Sequence, residues 1–385
     1  MPKKGKADGG APGDADVQDV DGSQGEGGGQ ILRTAVSLST VTGIPVRIHD
    51  IRANRPKPGL KAQHLEAVRA LQKLCNAEVT GLDVGSREVL FRPGRVDGGQ
   101  FTVNIGTAGS IPLVIQTIVL PALWGPKDTH VRLYGGTDVK WAPSIDYVHY
   151  IYLSMLRAMG AHTNLGLINR GYYPEGGGEV ELRVCPLPPP GLKPVVLVDQ
   201  IGEPRIFGSV HTGNLSENIG ERIKATALKL LVGVKDVRIM SNQWEGRSTG
   251  AGITLVAEFG NTLLGACALG EKGKRAETVA KECVDALMLE GKSGATVDVH
   301  LADQILPFLA LATGPSEVLV REVSEHARTN MAVIEKLLGA RFELKGTDED
   351  LTRLKVIPGK VPTMPERPAG ECDIEGEGPI ELRTL

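Results

Sequence analysis

Apolar residues recur at helical spacing along much of the chain, and these runs take turns with short stretches of strict alternation. From Gly25 to Gly94 the pattern predicts a helix (Gln30–Thr42), a strand (Pro45–Arg52) and a second helix (Leu60–Asn76). Two strands around "EVTGLDV" and "REVLFRPG" close the unit. From Gly98 to Cys185 the order recurs: strand "GQFTVNIG", helix "SIPLVIQTIVLPALW", strand "HVRLYGG", helix "SIDYVHYIYLSMLRAMG", then two strands ending in "GGGEVELRV". From Gly294 to Thr347 it recurs again, with strand "TVDVHLA", helix "DQILPFLALAT", strand "SEVLVREV", helix "HARTNMAVIEKLLG" and strand "ARFELKG". Each second helix ends in a similar cadence, "LCNAEV", "AMGAHT" and "LLGARF", whose small residues suit a helix C-terminus. The expected fold class is therefore α/β (α+β), with three repeated units whose sheets are each covered by helices.

About a hundred residues break this register. "CPLPPPGLKP" (Cys185–Pro194) reads as a linker and opens a smaller unit. That unit comprises strand "RIFGSVHTG", helix "SENIGERIKATALKLL" with Ser216 as its N-cap, strands "DVRIMSN" and "AGITLVAEFG", and helix "AETVAKECVDALMLEG". "EGKSGAT" (Glu290–Thr296) returns the chain to the repeats, the behaviour of an inserted domain. The expected division is an N-terminal tail over 1–20, repeats one and two over 21–189, the insertion over 190–293, repeat three over 294–350, and a Pro/Gly-rich tail over 351–385.

Composition narrows the class. The 385 residues, 41% apolar and 23% charged, can bury one large core or two smaller ones. A net charge of −3 argues against coating long duplexes but leaves room for gripping one end of a nucleic acid. Aromatics make up 4%, which speaks against a nucleic-acid surface built on stacked rings and concentrates expected contacts at a terminus. Five cysteines, odd in number and never in CxxC spacing, point to a reducing compartment and away from structural zinc or a disulfide framework. No apolar run is long enough for a membrane span, and the N-terminus has no apolar centre of a signal peptide.

Four groups carry candidate chemistry. "GEGGGQILRTA" (Gly25–Ala35) sets a carboxylate and glycines before a helix, which reads locally as a tight turn or as a phosphate-binding wall. It fits neither a dinucleotide fingerprint nor a P-loop. "IRANRPKPGLKAQHLEA" holds Arg52, Arg55, Lys57 and Lys61 on a Pro-stiffened loop, with Gln63 and His64 in the next helix's first turn. Such a cluster suits polyanionic phosphate, or is a solvated basic loop. In "NIGTAGSIPLVIQT", Gln116 lies deep in an apolar run and needs a hydrogen-bond partner, a neighbouring carbonyl or a ligand. In "HLADQILPFLALA", Asp303 and Gln304 stand where a strand is expected to turn into a helix, a position where Asp303 also suits a cap. His326 opens the last amphipathic helix; a neutral imidazole there is a candidate nucleophile toward phosphorus.

The segments "QGEGGGQILRTAVSLS", "IRANRPKPGLKAQHL", "GTAGSIPLVIQT", "GGTDVKWAP", "GYYPEGGGEVEL", "HLADQ" and "SEHARTNMAV" resemble, in order, motifs of the RNA 3′-terminal phosphate cyclases. The resemblance runs from about Asp21 to about Thr347. It implies a domain of three βαβαββ units with a smaller α/β insertion. It also implies ATP-dependent conversion of an RNA 3′-phosphate to a 2′,3′-cyclic phosphate through histidyl-AMP and an RNA(3′)pp(5′)A end. By position, His326 is the implied nucleophile, and Glu26, Arg33, Arg52, Arg55, Gln63 and His64 match the active-site set. Gln116, Pro143, Asp303 and Gln304 match the ATP pocket, and His300 stands where relatives often carry Tyr. A divalent metal, Mg²⁺ or Mn²⁺, is implied, with Glu26 near it. A non-cyclase relative serving ribosome assembly keeps the fold but lacks the histidine, and His326 separates the two. A sugar-phosphate transferase on a similar repeated fold does not account for "HLADQ" and "SEHARTN". Cytoplasm, or the nucleus in a eukaryote, is the expected compartment; the oligomeric state stays open, a homodimer included.

Overall fold

The structure, a computed structural model, describes residues 17–25 and 28–364. Its first sheet comes from β1 (Gln18–Asp21), β2 (Val46–His49), β3 (Glu78–Thr80) and β4 (Val89–Arg92), in the order β1-β2-β4-β3. The β1–β2 pair is parallel and the other two pairings are antiparallel. Two helices connect them, α1 (Gly29–Thr42) after β1 and α2 (Ala62–Cys75) after β2.

The second sheet repeats that order with β5 (Gly99–Asn104), β6 (Thr129–Gly135), β7 (Thr163–Asn169) and β8 (Gly178–Val184), as β5-β6-β8-β7. Helix α3 (Ile111–Leu123) follows β5. The helix expected over "SIDYVHYIYLSMLRAMG" is one rod with a wider turn: α4 (Ile145–Tyr147), a π-helical stretch (Val148–Tyr152) and α5 (Leu153–Ala158).

Next come β9 (Val196–Leu197), then β10 (Arg205–Gly213), α6 (Glu217–Leu230), β11 (Val237–Trp244), β12 (Gly250–Glu258), β13 (Leu263–Leu269) and α7 (Ala276–Ser293). Strands β10 to β13 form their own sheet, β11-β10-β12-β13. The chain finishes with α8 (Val299–Leu309), β14 (Ser316–Val320), α9 (Glu325–Leu338), β15 (Arg341–Gly346) and β16 (Thr352–Ile357). The fourth sheet, β9-β14-β16-β15, has the strand order and sense of the first two.

Several expectations are corrected here. "TVDVHLA" forms no strand, because the Asp298 carboxylate accepts the N–H groups of His300 and Leu301 and starts α8 instead. Asp303 is consequently inside α8 and is not its cap. The first strand of the fourth sheet is β9, which lies within the 190–293 stretch and precedes the extra sheet. Sheet structure reaches further out than expected on both sides: Gln18–Asp21 already pairs with β2, and Thr352–Ile357 sits between β14 and β15. Cys75, Cys267 and Cys283 are free.

Two apolar cores result. One extends from Val20 to Val356 and takes Val256 from the extra sheet, with Phe207 and Leu263 packed half-buried against it; the other's buried residues lie between Ile206 and Leu287. Within the first, α1 packs against α2, α3 and α9, and α8 packs against α3 and α9. From Ile31 to Val41 every residue of α1 is buried except Arg33, so α1 is a central helix interrupted by one cation. Similarly, Leu113 and Gln116 are the residues of α3 that are not fully buried. Among the described residues no helix is long and apolar enough to cross a membrane.

Candidate active site

The C-terminal ends of the parallel strands β1 and β2 feed the loops before α1 and α2, and β14 feeds the loop before α9. These loops converge. Ser324 Oγ accepts the Ala327 N–H and begins α9, so His326 lies in its first turn, half-buried. Gly28, the N-cap of α1, lies between His326 and the basic loop. A Cβ placed on Gly28 would stand 3.6 Å from Arg55 Nη2 and 3.9 Å from His326 Cε1. Residues far apart in the chain thus face one glycine, which brings a guanidinium, an imidazole and the start of a helix together.

The neighbouring glycines serve close approach. Gly25 has φ +54°, and a Cβ there would overlap the Thr329 hydroxyl of α9. A Cβ on Gly29 would overlap the His64 imidazole, so α1 and α2 touch there through backbone and ring. His64 is buried, and its Nδ1 accepts the Lys61 N–H at 3.1 Å, which puts the ring proton on Nε2, facing Gly29. Burial, then Arg33, Arg52 and Lys61, lower its pKa to about 3, so it is a neutral donor among cations.

Arg33 meets Asp303 across the α1–α8 contact. Burial lowers the guanidinium to about 10 against the pull of Asp303, so it stays charged at neutral pH. Burial pushes Asp303 up to about 7, although Arg33 and the Gln30 amide, 3.4 Å away, favour its anion. A buried bracket holds these helices together. Thr34 Oγ1 donates to Asn330 Oδ1 at 2.7 Å, and Asn330 Nδ2 donates to the Asp303 carbonyl at 2.8 Å. Gln30, Thr34 and Asn330 were not singled out by sequence; "RTN" carries Asn330 one turn beyond His326, and that spacing is the only local signal.

Arg52 differs from Arg55. Its backbone is left-handed, φ +56°, and its Nη1 donates to the carbonyls of Lys57 and Gly59, fastening the loop to itself. Gln63 Oε1 lies 3.5 Å from the Ser110 N–H, at the start of α3. Gln116 donates through Nε2 to Gln304 Oε1 at 2.8 Å, so its partner is a side chain of α8, which also carries Asp303. His300 is exposed on the first turn of α8. Pro143 is half-buried just before α4, whose Tyr147 hydroxyl donates to Asp298, the cap of α8. The Tyr147–Asp298 bond therefore ties the start of the helix after Pro143 to the start of the helix that carries His300. Glu26 lies outside the described residues.

Among the described residues one group could ligate a metal, Asp21, His49 and Asp50. Its members are already engaged: Asp21 accepts from Ser23, and His49 Nδ1 is 2.9 Å from Asp50 Oδ2. The candidate site pairs the Asp303 carboxylate with the Arg33 guanidinium and adds Arg55 beside His326. Its chemistry is that of an anion receptor with a ring nitrogen at its edge.

Residues 24–344 match the family model described as RNA 3′-terminal phosphate cyclase. A protein of Archaeoglobus fulgidus named RNA 3′-terminal phosphate cyclase is 47% identical over 85% of this chain and 98% of its own length. One of Methanopyrus kandleri with the same name is 43% identical over 88% of this chain and 98% of its own. The solved EPSP synthase of Acinetobacter baumannii aligns with 90% of this chain and 48% of its own at TM-score 0.27 and 13% identity, too poor a superposition to relate the folds.

Proposed function

The chain belongs to the RNA 3′-terminal phosphate cyclase family, and from that premise we propose that it cyclises RNA 3′-phosphate ends with ATP through a histidyl-AMP on His326. The observation that carries the reading is the meeting of Arg55 and His326 over Gly28. Three transfers at phosphorus follow. The His326 ring nitrogen attacks the α-phosphorus of ATP, the bond to the pyrophosphate oxygen breaks, and pyrophosphate leaves. An oxygen of the RNA 3′-phosphate then attacks the same phosphorus, breaking the N–P bond and freeing His326. Finally the 2′-hydroxyl attacks the activated 3′-phosphorus, its proton is lost, and AMP departs as the good leaving group that a bare phosphate oxygen is not.

The residues divide the work by charge. Arg33 and Arg55 oppose the departing pyrophosphate and the RNA phosphate through planar guanidinium forks. His64, neutral, supplies a hydrogen bond without adding charge. Gln116, Asp303 and Gln304 line the ATP side of this reading, with Pro143 and His300 against the base. Mg²⁺ or Mn²⁺ belongs to this reading as the ion carried by the triphosphate, with Glu26 as its protein ligand.

The test is labelling with ATP carrying radioactive α-phosphate. The wild type should form an acid-labile, alkali-stable adduct, and His326→Ala should form none while unfolding at the same temperature. Three matched RNA ends complete it. A ribonucleotide 3′-phosphate should be cyclised, a 2′-deoxynucleotide 3′-phosphate should stop at the adenylylated end, and a 3′-hydroxyl should not react. Full adduct in the His326 variant, or no ATP-dependent change at any end, defeats the proposal.

A further inference from the structure

Of all the Phe, Tyr and Trp side chains, only Trp141 and Tyr173 are exposed, at 96% and 78%. An isolated exposed ring needs no explanation, but these two share a location and a support. Strands β5, β6 and β7 run in one sense, because β8 is antiparallel to both β6 and β7. Their C-terminal ends therefore lie at one edge of the sheet, and Trp141 is on the loop after β6 and Tyr173 on the loop after β7. The loop after β5 shares that edge and carries Gly109 and Ser110, which meet Gln63 of the candidate site.

A buried ionic network ties the two loops. Arg170 Nη1 is 2.9 Å from Asp138 and Nη2 is 2.7 Å from Asp146, with Arg170 and Asp138 2% and 0% exposed at their side chains. The Thr137 and Asp138 N–H groups both donate to the Gly171 carbonyl. Trp141 is three residues past Asp138, and Tyr173 is three past Arg170. The limited reach of so few residues keeps the two Cα atoms within roughly 25 Å of each other, the span of a few nucleotides. Each loop is also pinned beyond the network: Lys140 to Glu271 at 2.7 Å, Ser144 to Thr254 at 2.8 Å, and the Glu175 N–H to Ser248 at 3.0 Å.

Trp141 is held with φ +65°, a conformation unfavourable for a bulky L residue. A rigid, anchored loop thus presents a tryptophan to water in a strained backbone, the combination expected where a ring is kept for a ligand. The exposed Arg247 lies against Gly177 beside the Tyr173 loop and adds positive charge.

We propose that Trp141 and Tyr173 form a stacking platform for bases of the single RNA strand that leads to the terminal phosphate. The proposal rests on the cyclase reading for the identity of its ligand. It reverses one expectation from composition: aromatics are few, yet the exposed ones stand on the edge that joins the site. An RNA strand is favoured over the adenine of ATP because two rings on separate loops make a strip longer than one base. Every base offers a π face, so the platform recognises RNA without reading its sequence.

The experiment measures binding, without ATP, of a dye-labelled single-stranded RNA with a 3′-phosphate to wild type, Trp141→Ala, Tyr173→Ala and Trp141→Phe. Each alanine variant should weaken binding roughly 5- to 100-fold, and Trp141→Phe should retain most of it. An RNA lacking bases next to its 3′ end should bind wild type weakly and be indifferent to Trp141→Ala. Unchanged binding in both alanine variants, or equal losses with the baseless RNA, overturns the proposal. So does a higher ATP requirement for labelling His326 in Trp141→Ala, which would make the ring a cover for adenine. A dimer in sedimentation that Trp141→Ala dissociates would assign the surface to a second copy. Should wild type form no adduct and cyclise nothing, the cyclase reading fails alone, while base-dependent binding still upholds the platform.

Discussion

Asp303 and His64 titrate in opposite senses inside one small volume, which makes the pH dependence of stability separable residue by residue. His64 falls from 6.5 to about 3, so its neutral form stabilises the fold above pH 6.5, and that contribution is lost as pH falls toward 3. Asp303 rises from 3.8 to about 7, so its contribution is complete below pH 3.8 and is lost as pH rises through 7. His64→Gln should therefore remove the acid-side loss, and Asp303→Asn the loss toward neutrality. Urea unfolding midpoints across that window check both, and identical pH slopes in wild type and variants would contradict them. The two arginines also separate. Arg52→Lys should lower the unfolding temperature, because the guanidinium bonds to Lys57 and Gly59 are lost. Arg55→Lys should slow cyclisation roughly tenfold or more, a guanidinium fork being replaced by a point charge.

Helices meet at this site through glycine, and one added methyl tests that contact. Gly29→Ala would drive a Cβ into the His64 ring, separating the starts of α1 and α2. We expect a loss of about 1–3 kcal/mol in chemical unfolding, with a larger fall in adduct formation than Ser324→Ala causes. Ser324→Ala removes only the α9 cap, costing about 1 kcal/mol. Long amphipathic runs were legible at this scale: α1, α2, α3 and α9 lie within two residues of the ends their periodicity predicts. Short strands were not. β9 has two residues beside a proline-rich linker, β1 hides in an acidic stretch, β13 lies in a segment without clear alternation, and β16, which does alternate, falls in the stretch expected to be a tail. "TVDVHLA" misled because alternation cannot reveal that Asp298 will cap a helix. His326 and the basic loop stood out by residue type. The Thr34–Asn330 and Gln116–Gln304 bonds join positions 296 and 188 residues apart and leave no local trace.

At the scale of the molecule, the two apolar cores are joined by a polar seam. His211 of β10 lies 3.3 Å from Asp138, and its Nδ1 is 2.8 Å from the Tyr172 hydroxyl. Burial and then Arg170 lower His211 to about 4, so the ring is neutral; the flanking Asp138 and Asp146 hold Arg170 firmly charged despite its burial. Arg170→Met would leave two carboxylates buried without their cation and should cost about 3–5 kcal/mol in urea unfolding. Replacing Asp138 and Asp146 by Asn in the same chain should recover much of that loss, whereas an unchanged deficit would show that packing, not charge, was lost. The placement of β9 bears on how the protein is born. β9 leaves the ribosome before the entire extra sheet, and its partner β14 begins only at Ser316. At about 5–20 residues per second of synthesis, that strand waits several seconds or more while a self-contained core folds ahead of it. His326, the proposed nucleophile, arrives later still, on α9, so on that proposal a nascent chain with both early sheets complete forms no adduct until its last sheet closes.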